Sequence, residues 1–228
     1  MQPQQTVDLS HALHEGMQIY PGDPQFTCCP ALSLDADGWN VQSLSLGTHT
    51  GTHVDAPYHI IKDGQTIDAL PISRFVGPVI VIDVTDVGAR HRIVWNDIAN
   101  YESTIQQGAD RGAFVFFRTN WSHYYGSERY FDHTFLDKAV AQKLVDYGIH
   151  LIGVDTLSPD ETHLQPNENT PEDVGVHQTI LGAGGIIAEN LTNLASIEEG
   201  EWIVHLAPLK LKECDGSPVR AYAVKTSD

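Results

Sequence analysis

Residues 47–60 read GTHTGTHVDAPYHI, a stretch that places three histidines and one aspartate within eleven positions. The four residues are His49, His53, Asp55 and His59. Threonines and a glycine separate the first two histidines, and a proline precedes the third, so the stretch is a poor helix former. We therefore do not expect a pair of histidines on one face of a helix.

A flat strand would not bring the first two histidines to one metal ion. At ~3.3 Å per residue, His49 and His53 would lie about 13 Å apart with parallel side chains. Two donors that are each ~2.1 Å from one ion lie at most about 4.2 Å apart. If both bind the same ion, the chain must bend between them. Gly51 lies at the midpoint and adopts a bent or positive-φ backbone most easily, and the flanking threonines can hold the bend through local hydrogen bonds.

The residue types favour a metal site with catalytic potential. Two histidines and one aspartate suit Zn²⁺ or Mn²⁺, and three protein ligands leave one position open for water. His59, set apart by Pro57, would be either a fourth ligand or a proton carrier near neutral pH. The alternative interpretation is that the histidines are unrelated residues of the surface or the core.

The composition argues against several other functions. The chain has 30 acidic and 13 basic residues and a formal net charge of −17, which disfavours binding to nucleic acid or to anionic lipid surfaces. Its three cysteines form neither a disulfide pattern nor a thiolate zinc motif. No apolar run approaches the ~20 residues of a membrane helix, and the first residues lack the pattern of a secretory signal. We therefore expect a cytoplasmic protein that acts on a small molecule.

Length and periodicity predict one α/β domain over residues 1–228. The first predicted strand alternates polar and apolar residues as a half-buried strand would, and the middle ones are apolar enough to be covered on both faces. Strands are predicted at 40–49, 78–85, 113–119, 150–156, 201–208 and 219–226. Helices are predicted at 134–148 and 176–185, each ended by glycine. This pattern leaves the choice between parallel and antiparallel pairing open.

The stretch HTGTHVDAPYH resembles the signature of the cyclase-like metal-dependent hydrolases, which include bacterial kynurenine formamidase and isatin hydrolase. Other segments along nearly the whole chain resemble further blocks of that family: DLSHALHEGMQIYPGDP, FFRTNW, GVDTLSPD, AENLTNL and PLKLKECDGSPVRAYAV. The resemblance implies a single compact α/β domain with a mixed, barrel-like β core flanked by helices. It also implies assembly as a homodimer or homotetramer.

The same resemblance implies roles for individual residues. His49, His53 and Asp55 would bind one divalent metal ion, either Zn²⁺ or Mn²⁺. A second ion would be shared through Asp55 and held by His177 and Glu189. His59 would be the general acid and base.

The implied reaction is hydrolysis of the C–N bond of a small amide or lactam, such as an arylformamide or an isatin-like lactam, by metal-activated water. The alternatives are a cyclase or lactonase on the same metal site and a non-catalytic metal-binding module. The resemblance also places Tyr20 in a wall of the substrate pocket. The polar segment 161–175 is predicted to be an exposed loop that closes the site or alters its specificity.

Overall fold

The computed structural model describes residues 5–164 and 174–227; most of the predicted loop, residues 165–173, lies outside them. The strands are β1 (Thr6–Asp8), β2 (Thr27–Leu32), β3 (Val41–Ser45), β4 (His53–Asp55), β5 (Val76–Asp83), β6 (Arg92–Ile93), β7 (Phe114–Arg118), β8 (Phe135–Leu136), β9 (Leu151–Val154), β10 (Ile186–Glu189), β11 (Glu201–His205), β12 (Gly216–Pro218) and β13 (Tyr222–Ser227). The α-helices are α1 (Leu34–Asp37), α2 (Trp95–Ile98), α3 (Glu102–Ala109), α4 (Lys138–Asp146) and α5 (Gly175–Gly182).

Short 3₁₀ helices complete the described secondary structure. They lie at Pro57–His59, Ile67–Ala69, Ile72–Phe75, Ala99–Tyr101, Trp121–Tyr124, Glu128–Asp132 and Leu194–Ile197. Among the described residues, no helix combines the length and the apolar character needed to span a membrane.

Nine of the strands form one mixed sheet in the order β1-β13-β11-β5-β7-β9-β10-β4-β12. The four strands from β5 to β10 in this order run parallel, and the strands on either side join them antiparallel. The sheet curls into a half-barrel. The predicted α/β class with a mixed, barrel-like β core is therefore confirmed.

The sheet is covered on both faces at its centre. On one face, the core contains Phe75 and Trp202. On the other face, α3, α4 and α5 pack through residues such as Ile105, Leu144 and Ile180. The side chains of β7 from Phe114 to Phe117 are almost completely buried, as expected for a parallel strand between two layers.

The predicted helix at 134–148 begins later than its apolar spacing indicates. Phe135 and Leu136 instead pair in parallel with β6 as the short strand β8. Asp137 then caps α4, because its carboxylate accepts a hydrogen bond from the backbone N–H of Ala139 at 2.8 Å. Gly148, with φ of +87°, follows the helix as predicted.

The predicted strand at 40–49 is shorter and more exposed than its alternating pattern indicates. Only Val41–Ser45 is a strand, and every residue in it is exposed. Its partner β2 forms a separate two-stranded sheet with it. The prediction of a half-buried strand was wrong because no layer of the described chain covers either face of this hairpin.

One edge of the large sheet brings the predicted ligands together. His53 and Asp55 lie two residues apart on β4, so their side chains point to the same face. On β10, Glu189 lies directly opposite His53. On β12, Gly216 lies opposite Asp55. Because Gly216 has no side chain, there is room beside Asp55 for the side chains of other residues.

Candidate metal centre

The loop before β4 returns His49 toward His53. Gly51 has φ of +65°, and a Cβ at this position would collide with the side chain of Leu13. Thr50 Oγ1 accepts a backbone hydrogen bond at 2.9 Å from the start of the loop. The rings of His49 and His53 consequently lie with their centroids 5.0 Å apart. The predicted bend at Gly51 is confirmed.

The first donor set consists of His49, His53 and Asp55. His49 Nδ1 is 2.7 Å and His53 Nε2 is 3.3 Å from the same oxygen, Oδ1 of Asp55. His53 donates its Nδ1 hydrogen to the carbonyl oxygen of Gly51 at 2.8 Å. In the neutral ring this bond leaves the Nε2 lone pair directed at the cluster, the tautomer that a metal ligand requires.

The second donor set consists of Asp55, His177 and Glu189. His177 Nε2 lies 3.3 Å from Glu189 Oε1 and 3.7 Å from Asp55 Oδ2. His177 Nδ1 donates to Asp160 at 2.6 Å, which again fixes Nε2 as the free lone pair. Asp55 thus turns one oxygen toward each set, the arrangement of a bridging carboxylate.

Three buried atoms of these sets support occupation by a metal. His53 Nε2, Asp55 Oδ2 and Glu189 Oε1 are buried and have no hydrogen-bond partner among residues 5–164 and 174–227. A buried polar atom without a partner costs about 1–3 kcal/mol, and more if it is charged. Because the three converge and combine imidazole nitrogen with carboxylate oxygen, Zn²⁺ or Mn²⁺ would satisfy them together. The residues therefore fit a divalent metal ion.

Charge in the cluster shifts the pKa values of its members strongly. Burial lowers the pKa of His53, but Asp55 and Glu189 outweigh burial and raise it to about 10. Burial likewise opposes protonation of His49, but hydrogen bonds to Asp215 and Asp55 raise its pKa to about 9. In the metal-free protein these imidazoles are therefore cationic at neutral pH and compensate the carboxylates.

The stability of the metal-free protein should decrease at alkaline pH. Because the folded pKa values of His49 and His53 exceed the ordinary 6.5, their stabilising contribution is complete below about pH 6.5 and is lost as the pH rises through about 9 and 10. We expect the melting temperature of chelator-treated protein to fall by roughly 5 °C or more between pH 7 and pH 10. Differential scanning fluorimetry measures this. The metal-loaded protein is the control and should change less, because the ion replaces the protons; a flat or rising metal-free curve would contradict the prediction.

A further carboxylate, Asp215, joins His49 to His59. Its Oδ2 lies 2.9 Å from His49 Nε2 and 3.4 Å from His59 Nδ1. The hydrogen bonds from both imidazoles hold the pKa of Asp215 well below its usual range, so the carboxylate accepts from both. The three residues also have the spacing of a metal-ligand group. Spacing alone therefore does not separate a ligand role from a proton-carrier role for His59.

A cavity of about 290 Å³ opens over the cluster. His59, His177 and Glu189 line it, and Tyr20 lies in its wall. The remaining walls are largely apolar and include Ile19, Ile60, Leu157 and Val174. The structure thus brings all the sequence-predicted site residues to one cavity or to the donor sets beneath it.

Three aspartates near the site were not identified from the sequence. Asp215 and Asp160 bond the outer nitrogens of two histidines, and Asp23 lines the cavity. All three lie in segments that carry the family resemblance, CDGSP, LSPD and YPGDP. An acidic residue beside glycine or proline in each was the available signal, but nothing local connected these segments to the histidines.

Known proteins resemble this chain along most of its length. The Cyclase family model matches residues 7–161. Kynurenine formamidase of Paracidovorax citrulli is 32% identical over 234 residues, covering 96% of each chain. Kynurenine formamidase of Bacillus mycoides is 32% identical over 222 residues, covering 97% of this chain and 98% of the relative.

Solved structures share the fold. Isatin hydrolase A of Labrenzia aggregata, bound to benzyl benzoate, superposes with a TM-score of 0.84 at 28% identity, covering 98% of this chain and 94% of the other. A predicted metal-dependent hydrolase of Bacillus stearothermophilus superposes with a TM-score of 0.75 at 29% identity, covering 98% and 99%. The similarity therefore extends over almost the full length of each chain.

Proposed function

This chain belongs to the Cyclase family, and we propose that it hydrolyses arylformamides or isatin-like lactams. It is a metal-dependent hydrolase of carbon–nitrogen bonds other than peptide bonds. The observation that carries the substrate proposal is Asp55, placed between two donor sets at the base of a largely apolar cavity. The proposal treats residues 1–228 as one hydrolase domain, and it includes a cytoplasmic location like that expected of the bacterial relatives.

The two donor sets would hold the metal. His49, His53 and Asp55 would bind one ion, and Asp55, His177 and Glu189 would bind a second, with Zn²⁺ or Mn²⁺ as the candidates. When bound, a divalent ion supplies a Lewis acid that polarises an amide carbonyl and lowers the pKa of water. The hydrogen bonds to the outer nitrogens keep the ligand rings in place, which preserves the geometry of the site.

His59 would move the proton. Its Nδ1 donates toward the ionised Asp215, so in the neutral ring Nε2 carries the lone pair. Nε2 would accept a proton from the attacking water and return it to the leaving nitrogen. His59 is about 30% exposed at its side chain and lines the cavity, so substrate can reach it.

The cavity walls support a flat, mostly apolar substrate. Tyr20 and the aliphatic side chains of Ile19, Ile60 and Leu157 line it. An aromatic ring packs well against such surfaces, while the polar groups at the base fix the orientation of the scissile bond. An aryl amide or a benzo-fused lactam has both parts: an aromatic ring for the apolar walls and a C–N bond for the polar base.

A hydrolysis screen tests the proposal. Protein loaded with Zn²⁺ or Mn²⁺ should hydrolyse N-formylkynurenine or isatin, followed by absorbance, at a rate that depends on the metal. A matched lactone in the same panel tests the lactonase alternative. Metal-dependent turnover of the lactone alone would overturn the proposed bond specificity.

We also propose that the protein forms a homodimer or homotetramer through the β2–β3 hairpin. Exposed apolar side chains cover it: Leu34 is 59%, Trp39 61% and Leu44 58% exposed. An isolated two-stranded hairpin is marginally stable in water. Residues 27–45 contain only two charges, both acidic, in a chain of net charge −17. Two copies can therefore approach here with little repulsion and bury this surface.

Substitution of the hairpin should dissociate the oligomer. We expect Trp39→Lys combined with Leu44→Lys to give a monomer, because charges at buried interface positions are unfavourable. Light scattering after size-exclusion chromatography measures the mass. Leu209→Lys, at a 57%-exposed leucine outside the hairpin, is the matched control and should leave the mass unchanged. A monomeric unmodified protein would contradict this proposal.

A further inference from the structure

The segment Tyr20-Pro21-Gly22-Asp23 forms a tight turn whose two ends face the cavity. The backbone N–H of Asp23 donates to the carbonyl of Tyr20 at 3.1 Å. Gly22 has φ of +99°, as the third position of a type II turn requires, and Pro21 suits the second. Because such a turn brings its first and last residues together, Tyr20 and Asp23 line the same cavity.

The other neutral polar residues that line the cavity are already bonded to the protein. Gln18 accepts from the backbone N–H of Gly126. Ser158 Oγ accepts from the backbone N–H of Asp160. Asn190 accepts from Tyr130 Oη and donates to the carbonyl of Gly51. Within the part of the chain that the structure describes, Tyr20 is the remaining neutral polar side chain of the lining.

Asp23 differs from the other carboxylates near the site. Asp55, Glu189 and Asp215 each contact histidines of the donor sets. Among residues 5–164 and 174–227, the Asp23 carboxylate has no hydrogen bond or ion pair. It is partly buried and lines the same cavity as His49, His53 and His59, so it faces the space in which the reaction takes place.

A partly buried carboxylate without a partner favours a ligand that brings a hydrogen-bond donor. A carboxylate only accepts hydrogen bonds, and burial raises the pKa of Asp23 despite the nearby imidazoles. A hydrogen-bond donor on the ligand would replace the hydrogen bonds to water that the carboxylate loses in the cavity. Because Asp23 and these histidines line one cavity, the donor would lie near the scissile bond.

We propose that Asp23 accepts a hydrogen bond from the N–H of the scissile amide, so that the enzyme selects substrates whose amide nitrogen carries a hydrogen. This inference rests on the proposed amide hydrolysis and identifies what the site requires of its substrate. Tyr20, at the other end of the turn, lies beside the ring that bears this nitrogen. An N-alkyl substrate lacks the donor and leaves the carboxylate unpaired, the situation in which sites discriminate most strongly.

Isatin and N-methylisatin test the proposal, because they differ only at the lactam nitrogen. For the metal-loaded enzyme, kcat/KM should favour isatin by roughly 10-fold or more, the usual worth of a hydrogen bond to a charged group. Asp23→Ala should bring this ratio close to one. Asp63→Asn, at an exposed carboxylate outside the cavity lining, is the matched control for charge and should keep the ratio.

Equilibrium binding separates this inference from the proposed function. Isothermal titration calorimetry on the metal-loaded His59→Ala protein, with and without Asp23→Ala, gives the dissociation constants of both compounds without turnover. A preference for isatin that disappears with Asp23→Ala supports the inference, even if the unmodified enzyme hydrolyses neither compound and the proposed function fails. An equal loss of affinity for both compounds, a preference that survives Asp23→Ala, or binding of neither compound would overturn it.

Discussion

Asp55→Asn should remove bound metal from both donor sets and lower kcat/KM by roughly 10³-fold or more. Asp55 is 1% exposed, and its two oxygens face different histidines, His49 and His53 on one side and His177 on the other. The asparagine amide is nearly the same size as the carboxylate but is uncharged. Its NH₂ group donates hydrogen bonds where the carboxylate oxygen would accept them. Neither set would then retain its full complement of anionic ligands. Elemental analysis after gel filtration measures the metal content, and the hydrolysis assay measures activity.

A second buried aspartate provides the control. Asp155 is 2% exposed and accepts hydrogen bonds from the backbone N–H groups of Thr119 and Asn120, which are not residues of the donor sets. Asp155→Asn should lower the melting temperature without changing the metal-to-protein ratio. Full metal retention in Asp55→Asn, with Asp155→Asn behaving as expected, would be incompatible with a bridging role for Asp55.

His59→Ala should retain the metal and lose roughly 10²- to 10⁴-fold in kcat, the range associated with a positioned acid and base. His59 makes its described polar contact with Asp215, while the atoms of the two sets around Asp55 are supplied by other residues. Its removal should therefore leave those sets complete. Added imidazole should restore part of the activity, because it can enter the space that the ring vacates and carry the proton.

Metal content decides between the two roles that spacing leaves open for His59. If His59→Ala loses metal in proportion to activity, the residue is a ligand in the group with His49 and Asp215. His123 is the control because it is exposed and outside the cavity lining. His123→Ala should change neither metal content nor rate.

The comparisons and the site together favour catalysis over a non-catalytic metal-binding module. A binding module has no need for a cavity beside its metal ligands or for an imidazole facing that cavity. Here both are present, with His59 and Tyr20 lining the same space, and the relatives are named as enzymes. The cyclase or lactonase alternative stays a prediction that the substrate panel tests.

How well a strand was predicted depended on what produces its hydrophobic pattern. Strands β5, β7 and β9 were predicted within a few residues because their apolar runs are dictated by burial on both faces. The short strand β10 was not predicted, since its four residues follow glycines and give no period of their own. The strand predicted at 40–49 was wrongly expected to be half-buried, because alternation indicates a face to be covered without indicating whether the same chain covers it.

The sequence by itself determined the first donor set. His49, His53 and Asp55 lie within seven residues, and the conformation of so short a segment depends on a few backbone dihedral angles. The required bend could therefore be assigned to Gly51, whose φ of +65° agrees. The second set, by contrast, came from the family resemblance, since nothing local relates Glu189 to His53.

Only the tertiary structure showed that Asp215 joins the site and how the remote residue Glu189 reaches it. Asp215 bonds His49 across 166 positions of the chain, and Glu189 reaches His53 because β10 pairs with β4 in a specific register. Such contacts depend on the order and curl of the whole sheet, because a shift of one residue would turn each side chain to the opposite face. For the same reason, the orientation of Asp23 toward the cavity could not be predicted from the turn that presents it.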